Sequence, residues 1–245
     1  MIQIARWTAL LLLLCTLVAM PLQSATAQDD AQAQLDATAS AMLALQSFHF
    51  KLETTAGTTV YQDVFELNTV EGDVDRPANF QASVGVKLAI IDLTIEVVGV
   101  DGDIWVKNPI GGDDEFVQVT GGDSDFQLPP IELLNPDSLV QGALTYLDNP
   151  QIADPETLDG QEMTVLTGTF DPAKLISSGT ATVAGSTISA ASQPLEVKLW
   201  IDDQNRLVQI EFLGPLFSFE EGSGRLVRRI TFSNFDADIS IDPPA

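Results

Sequence analysis

Residues 195–213, LEVKLWIDDQNRLVQIEFL, constrain the fold of this chain more than any other stretch, because apolar and polar side chains alternate on both sides of one short polar run. A period of two belongs to a β-strand, and two such strands joined by a few polar residues make a β-hairpin. On the first arm Leu195, Val197, Leu199 and Ile201 share one face, against Glu196, Lys198 and Trp200. On the second, Val208, Ile210 and Phe212 oppose Gln209 and Glu211. Asp202 to Arg206 has the length and composition of a longer hairpin loop. The consequence is an antiparallel sheet with one apolar and one wet face, whose apolar face needs cover. Trp200, on the wet side, is expected to cover a neighbouring edge or to sit exposed.

Two amphipathic segments can supply that cover. Asp29 to Gln46 is Ala-rich, with Ala31, Leu35, Ala39, Met42 and Leu43 at helical spacing and acid in its first turn. Asn135-Pro136-Asp137 reads as the cap, first position and first-turn acid of a second helix with the stripe Leu139, Val140, Ala143, Leu144 and Leu147, which Asn149-Pro150 stops. The first helix leads into alternating Phe48, Phe50 and Leu52. Further strand signals lie at Val60 to Val70, with a turn or bulge at Glu71-Gly72-Asp73, then at Phe80 to Val86, Ile91 to Val97, Asp103 to Lys107 and Phe116 to Val119. Gly160 to Phe170, Leu226 to Phe232 and Asp236 to Ile241 complete the set. Asp171-Pro172 starts a short helical turn, and Ser177 to Gln193 is a Ser/Thr/Ala/Gly loop. The expected total is about ten strands and two main helices.

The amino terminus reads as an export signal: Arg6, an apolar run from Trp7 to Met20, Pro21 as helix breaker, and the small-x-small site Ala25-Thr26-Ala27. Residues 1–27 are thus a signal peptide and 28–245 a single domain. Cys15, the only cysteine, follows Leu12-Leu13-Leu14, whereas a lipidation signal places a small residue directly before its cysteine. Lipidation at Cys15 is therefore not expected, and release as an extracellular or envelope protein is; were Cys15 acylated, the chain would be membrane-anchored. The mature chain keeps 10 basic residues against 35 acidic ones, a formal charge of −25. Such a charge repels nucleic acid and rules out membrane contact through a basic patch. With no cysteine left, disulfides and thiolate metal sites are excluded, and an ordinary core holds the chain, which is expected to be a monomer.

Catalytic signatures are absent. The single histidine, His49, lies on the polar side of its strand, and no G-x-S-x-G, H-E-x-x-H, phosphate-loop or EF-hand spacing occurs. Asp113-Asp114-Glu115, Asp123, Asp125 and Asp202-Asp203 read as solvated turn charge. No cofactor, metal or catalytic residue is assigned.

The order of landmarks along the chain resembles a known family. These are Ser47-x-His49-Phe50 after a starting helix, Arg76-Pro77, Asp101-Gly102-x-x-Trp105 with Pro109, and Leu128-Pro129 before a Leu-rich helix. Gly160-x-Glu162 with Gly168, Leu199-Trp200-Ile201-Asp202, and Ile230-Thr231-Phe232-Ser233 running to Asp242-Pro243 follow. Together they resemble the LppX/LprAFG family of bacterial envelope lipoproteins. The resemblance implies an α+β fold similar to LolA/LolB: a strongly curved antiparallel half-barrel with helices on its concave face and an apolar cavity holding lipid acyl chains. The protein would then bind a lipid or glycolipid for transport in the envelope. The residues that would line such a cavity are Phe48, Phe50, Phe80, Leu93, Ile95, Leu139, Leu144, Leu147, Val197, Leu199, Ile210 and Phe212. Periodicity alone does not separate a ligand cavity from a close-packed core, since both are lined by apolar side chains. A structural or interaction module with a filled core therefore stands as the alternative, with an unrecognised hydrolase behind it.

Overall fold

The computed structural model describes residues 22–61, 65–107, 115–119, 137–177, 190–222 and 224–244. Helix α1 (Leu22–Ala44) precedes β1 (Ser47–Ala56), β2 (Thr59–Tyr61), β3 (Phe65–Asp75), β4 (Asn79–Leu88), β5 (Ile91–Val100), β6 (Asp103–Lys107) and β7 (Phe116–Gln118). Helix α2 (Asp137–Tyr146) leads to β8 (Asp148–Leu158), β9 (Gln161–Phe170), the short α3 (Pro172–Ser177), β10 (Leu195–Ile201), β11 (Leu207–Leu213) and β12 (Val227–Ser233). Among the described residues, twelve strands form one antiparallel, curved and unclosed sheet in the order β7-β6-β5-β4-β3-β1-β12-β11-β10-β9-β8, with β2 paired to β3 beside the path. The closing of β1 against β12 joins the two ends of the chain into the middle of the sheet.

The hairpin stands as its alternation requires, with Leu199 opposite Ile210 and Val197 opposite Phe212. One residue departs. The register slips between Trp200 and Ile201, which pairs with Leu207, so Val208 is the extra residue of a β-bulge and packs on the opposite face, beside Trp200, Met163 and Val165. The loop is closed by Asp202, whose Oδ1 accepts the Gln204 and Arg206 N–H groups at 2.9 and 2.8 Å while its carboxylate pairs with the Arg206 guanidinium. Asn205 takes φ 61°, a left-handed conformation that asparagine tolerates.

Several sequence expectations change here. Glu71-Gly72-Asp73 is no turn: β3 runs straight through it, and a Cβ on Gly72 would come within 2.0 Å of the Gln81 carbonyl oxygen. Close approach to β4, not chain reversal, demands that glycine. The stretch Val60 to Val70 is two strands, β2 and β3, that pair with each other. Asp236 to Ile241 forms no strand. Asn234 and Asp236 both adopt positive φ, which breaks the extended run, and the segment is tied to β1 by the Asp236 N–H on the Ser47 carbonyl and by the Ser47 hydroxyl on Ala237. β8 was not expected at all, because Pro150 and Pro155 interrupt it, and the ladder to β9 skips at both positions. A proline-bearing, acidic strand with two bulges is tolerated because β8 is a sheet edge.

The buried stripe of α1 is Ala31, Leu35, Thr38 and Met42, continued by Leu45 beyond the helix end, while Leu43 is 61% exposed and lies off it. On α2 the predicted stripe is buried throughout: Leu139, Val140, Ala143 and Leu144 on the helix and Leu147 just past it. These apolar residues join the same core cluster as the inner sheet face. Leu147 reaches that face where Gly168 leaves room for it, since a Cβ there would lie 2.7 Å from the Leu147 Cγ. Phe80 gains its space from Gly99 in the same way, because a Cβ at that position would lie 2.1 Å from its ring.

Candidate functional site

Paired residues in an antiparallel ladder point to the same side of the sheet, so the registers define which side chains share a face. Leu166, Leu199, Ile210, Ile230, Leu52, Val70, Val84 and Ile95 are successive partners from β9 to β5, giving one unbroken apolar row across eight strands. At strand spacing of roughly 4.8 Å the row spans about 34 Å of sheet. Each of the eight is at most 4% exposed. Beside it, Phe232, Phe50, Gly72, Ala82, Val97 and Val106 form a second row, and Phe48, Val74, Phe80 and Gly99 a third. Phe48 meets Phe232 edge-on at 5.7 Å, and Phe170 meets Phe212 at 6.2 Å.

All twelve residues that the sequence offers as a lipid-cavity lining belong to this apolar cluster. Phe48, Phe50, Phe80, Ile95, Leu139, Leu144, Leu147, Val197, Leu199, Ile210 and Phe212 are buried within it, and Leu93 packs against it partly buried. Cys15 and residues 120–136, with the proposed helix cap at Asn135-Pro136, lie outside the described residues.

One residue that the alternation could not reveal organises the helices on this face. Arg76, in the β3–β4 turn, donates through Nη1 to the Met42 and Leu45 carbonyls at the end of α1. Through Nε and Nη2 it holds both carboxylate oxygens of Asp137, at 3.2 and 2.6 Å, in the first turn of α2. Its guanidinium also lies 5.3 Å from the Phe48 ring centre. One side chain thus joins the carboxyl end of one helix, where orphan carbonyls need donors, to the amino end of the other, where an acid is favoured. Only the pair Arg76-Pro77 in the sequence marked the place.

The opposite face is polar. A groove of about 500 Å³ runs over His49, Glu71, Asp73, Gln81, Ser83 and Glu96. His49 Nδ1 lies 2.9 Å from Asp73 and its Nε2 3.4 Å from Glu71, so the histidine is engaged by carboxylates. A second groove, of about 530 Å³, lies over Gln151, Thr167, Glu196, Lys198 and Glu211. Both linings mix charged and polar groups with apolar residues, such as Val98 and Phe116 in the first and Leu213 in the second. Among the described residues, no group of three or more His, Cys, Asp or Glu is placed to hold a metal ion. Trp200 is buried here, covering β8 and β9, with its indole N–H on Glu156 Oε2 at 2.9 Å and Lys198 Nζ 4.5 Å from its ring centre. The hydrogen bonds from Lys198 and then Trp200 hold the Glu156 carboxyl below its ordinary range.

No curated protein matches this sequence. Among solved structures, LprF from Mycobacterium bovis superposes with a TM-score of 0.60 at 22% identity, covering 89% of this chain and 98% of its own. The lipoprotein LppX from Mycobacterium tuberculosis superposes with a TM-score of 0.54 at 18% identity, covering 87% and 99%. These likenesses establish the fold. Among the described residues no helix is long and apolar enough to cross a membrane. The sequence itself matches the LppX/LprAFG lipoprotein family over residues 30–241, in agreement with an exported protein of the cell envelope. Nearly the whole chain thus follows the family pattern, and the protein belongs to the LppX/LprAFG lipoproteins.

Proposed function

We propose that the protein binds a lipid or glycolipid and carries it in the cell envelope, with acyl chains lying against the apolar face of the sheet. The observation that carries this reading is the eight-strand apolar row from Leu166 to Ile95. A closed barrel would fill such a face with its own opposite wall. This sheet is unclosed, and among the described residues α1 and α2 bring their buried apolar side chains into the same cluster as its apolar face. Membership of a lipoprotein family supports the same reading. The twelve residues Phe48, Phe50, Phe80, Leu93, Ile95, Leu139, Leu144, Leu147, Val197, Leu199, Ile210 and Phe212 are the proposed lining. The ligand is held by apolar contact, and the protein acts as a carrier rather than an enzyme.

Organic extraction of the protein purified from its native host, followed by mass spectrometry, is expected to yield long-chain lipid in stoichiometric amount. Leu199→Trp sharpens the test, because Leu199 lies in the apolar row between Leu166 and Ile210. In a site that admits ligand, the indole takes ligand space: bound lipid falls, and the lipid-free protein melts as wild type does. In a close-packed core the same change overpacks and costs about 1–3 kcal/mol. A destabilised variant of a protein that yields no lipid would replace the carrier with a filled-core module.

A further inference from the structure

Arg228 stands on the apolar face. Its strand puts it in register with Phe212 on β11 and Thr54 on β1, two residues along from Ile230 of the long row. Its side chain is completely buried. A guanidinium carries five N–H donors, and in a buried site each needs an acceptor. Nη2 meets its share: it donates to the Thr59 hydroxyl at 2.7 Å and to Glu220 Oε1. Glu220, also buried, closes the short 3₁₀ turn Ser218–Glu220 and accepts the Leu216 and Phe217 N–H groups on Oε2 at 2.9 and 3.2 Å. The carboxylate accepts on both oxygens, and it balances the charge of the arginine. Nε and Nη1 of Arg228 have no partner, nor does the buried hydroxyl of Thr54, the cross-strand neighbour.

Stability does not account for this arrangement. A buried ion pair stabilises a fold no better than apolar side chains of the same volume, and one left with unmet donors does worse. Unmet donors beside an apolar surface are what a site for an amphiphile requires: apolar walls for the chains and a few fixed polar groups that set orientation.

We propose that Arg228, with Thr54, receives the ester carbonyl oxygens of an acyl-ester lipid, placing the ester end of the ligand here and its chains along the row beginning at Ile230. This rests on the lipid-carrier reading. The chemistry favours a neutral carbonyl over a carboxylate or phosphate. Glu220 already cancels the guanidinium charge, so a further anion would leave net negative charge among apolar side chains. A carbonyl oxygen accepts N–H donors without adding charge, and an ether oxygen offers no carbonyl.

The test compares two probes with identical chains, dipalmitoylglycerol and its dihexadecyl ether counterpart, loaded into delipidated full-length mature protein. Three proteins are compared: the wild type, Thr54→Val, and the double variant Arg228→Met with Glu220→Gln, which removes both charges together so that neither is left buried alone. The wild type is expected to retain the ester over the ether by about tenfold, the effect of one hydrogen bond to a charged donor. The double variant should bind the ether as the wild type does and lose the preference, and Thr54→Val should reduce it. Equal retention of ester and ether by the wild type, or a preference that survives in the double variant, overturns the assignment of Arg228 and leaves the carrier reading intact. Retention of neither probe by the wild type overturns both. If the double variant fails to fold, Arg228→Lys replaces it. Lysine keeps the charge against Glu220 but cannot present donors at the Nε and Nη1 positions, so an unchanged preference there would equally refute the proposal.

Discussion

Replacing Arg76 by methionine keeps the apolar stem of the side chain over Phe48 and removes the guanidinium that ties α1 to α2. The structure sets the expected magnitude. Two hydrogen bonds to Asp137 and two to the carbonyls of Met42 and Leu45 disappear together. Arg76 and Asp137 are only 11% and 14% exposed, so the carboxylate loses its cation where water replaces it poorly. Removing one partner of a fully buried pair costs about 3–5 kcal/mol, whereas exposed pairs contribute about 1 kcal/mol or less. The residual exposure, and the Gln141 amide that still donates to Asp137 at 2.9 Å, place this case at about 2–3 kcal/mol. For a domain of this size that corresponds to a fall in Tm of roughly 4–12 °C.

Asp137→Asn should cost less, about 1–2 kcal/mol, because the guanidinium keeps its two carbonyl acceptors and one of its two bonds to residue 137, losing the charge assistance and the oxygen that becomes an NH2 donor. Combining the two changes should give a coupling energy of about 1–2 kcal/mol, since both act on the same contact. Urea unfolding of the wild type, the two single variants and the double variant completes the cycle. A loss below about 0.5 kcal/mol for Arg76→Met, or additive effects in the double variant, would show that the helices are held by their apolar stripes alone and that Arg76 clamps nothing.

Gly168→Ala is expected to cost about 1–3 kcal/mol in urea unfolding, because the new methyl would lie 2.7 Å from Leu147 Cγ and 2.9 Å from the Asp148 carbonyl oxygen. Adding Leu147→Ala should recover part of that loss, and strict additivity would argue against the contact. Glu156 gives a pH prediction: its carboxyl titrates below the ordinary value of 4.5 in the folded state, so its contribution is present above that value and disappears as pH falls through the lowered one. Wild type should out-melt Glu156→Gln by at most about 1 kcal/mol at neutral pH, as for exposed pairs. A gap that persists unchanged in acid would assign the difference to something other than the carboxylate charge.

Much of the apolar face was legible because one chemical rule governs it. Alternation assigns Leu195, Val197, Leu199 and Ile201 to one side wherever the strand lies, and helical spacing does the same for Leu139 to Leu147. The rule fails where backbone geometry overrides periodicity. Val208 has the parity of Ile210 and Phe212, yet as the extra residue of a bulge it turns to the other face. Leu43 fits the helical stripe of α1 by spacing, but the helix buries Thr38 instead and leaves Leu43 in solvent. Polar anchors were the least visible. Arg76 and Arg228 take their roles from partners far along the chain, Met42 and Asp137 for one and Thr59 for the other. A pattern of hydropathy contains no trace of such pairings.

The edges of the sheet explain how it can stay open. An unclosed antiparallel sheet presents two rows of unpaired backbone groups, which invite pairing with another chain. At one edge β8 carries Pro150 and Pro155, a break in register beside each, and the acids Asp154 and Glu156. Proline donates no hydrogen bond and bulges bend the strand, so a second strand finds no continuous ladder there. Glu156 adds an inward tie, accepting from both Lys198 and Trp200, which holds this irregular strand onto the polar face of β9 and β10. Among the described residues the other end of the sheet is β7, which is three residues long, Phe116–Gln118, and so offers a short template. Sequence that looks like a broken loop between α2 and β9 is thus a terminator. By ending the sheet without closing it, β8 leaves the apolar rows to be covered by α1, α2 and, on the reading advanced above, by the chains of a bound lipid.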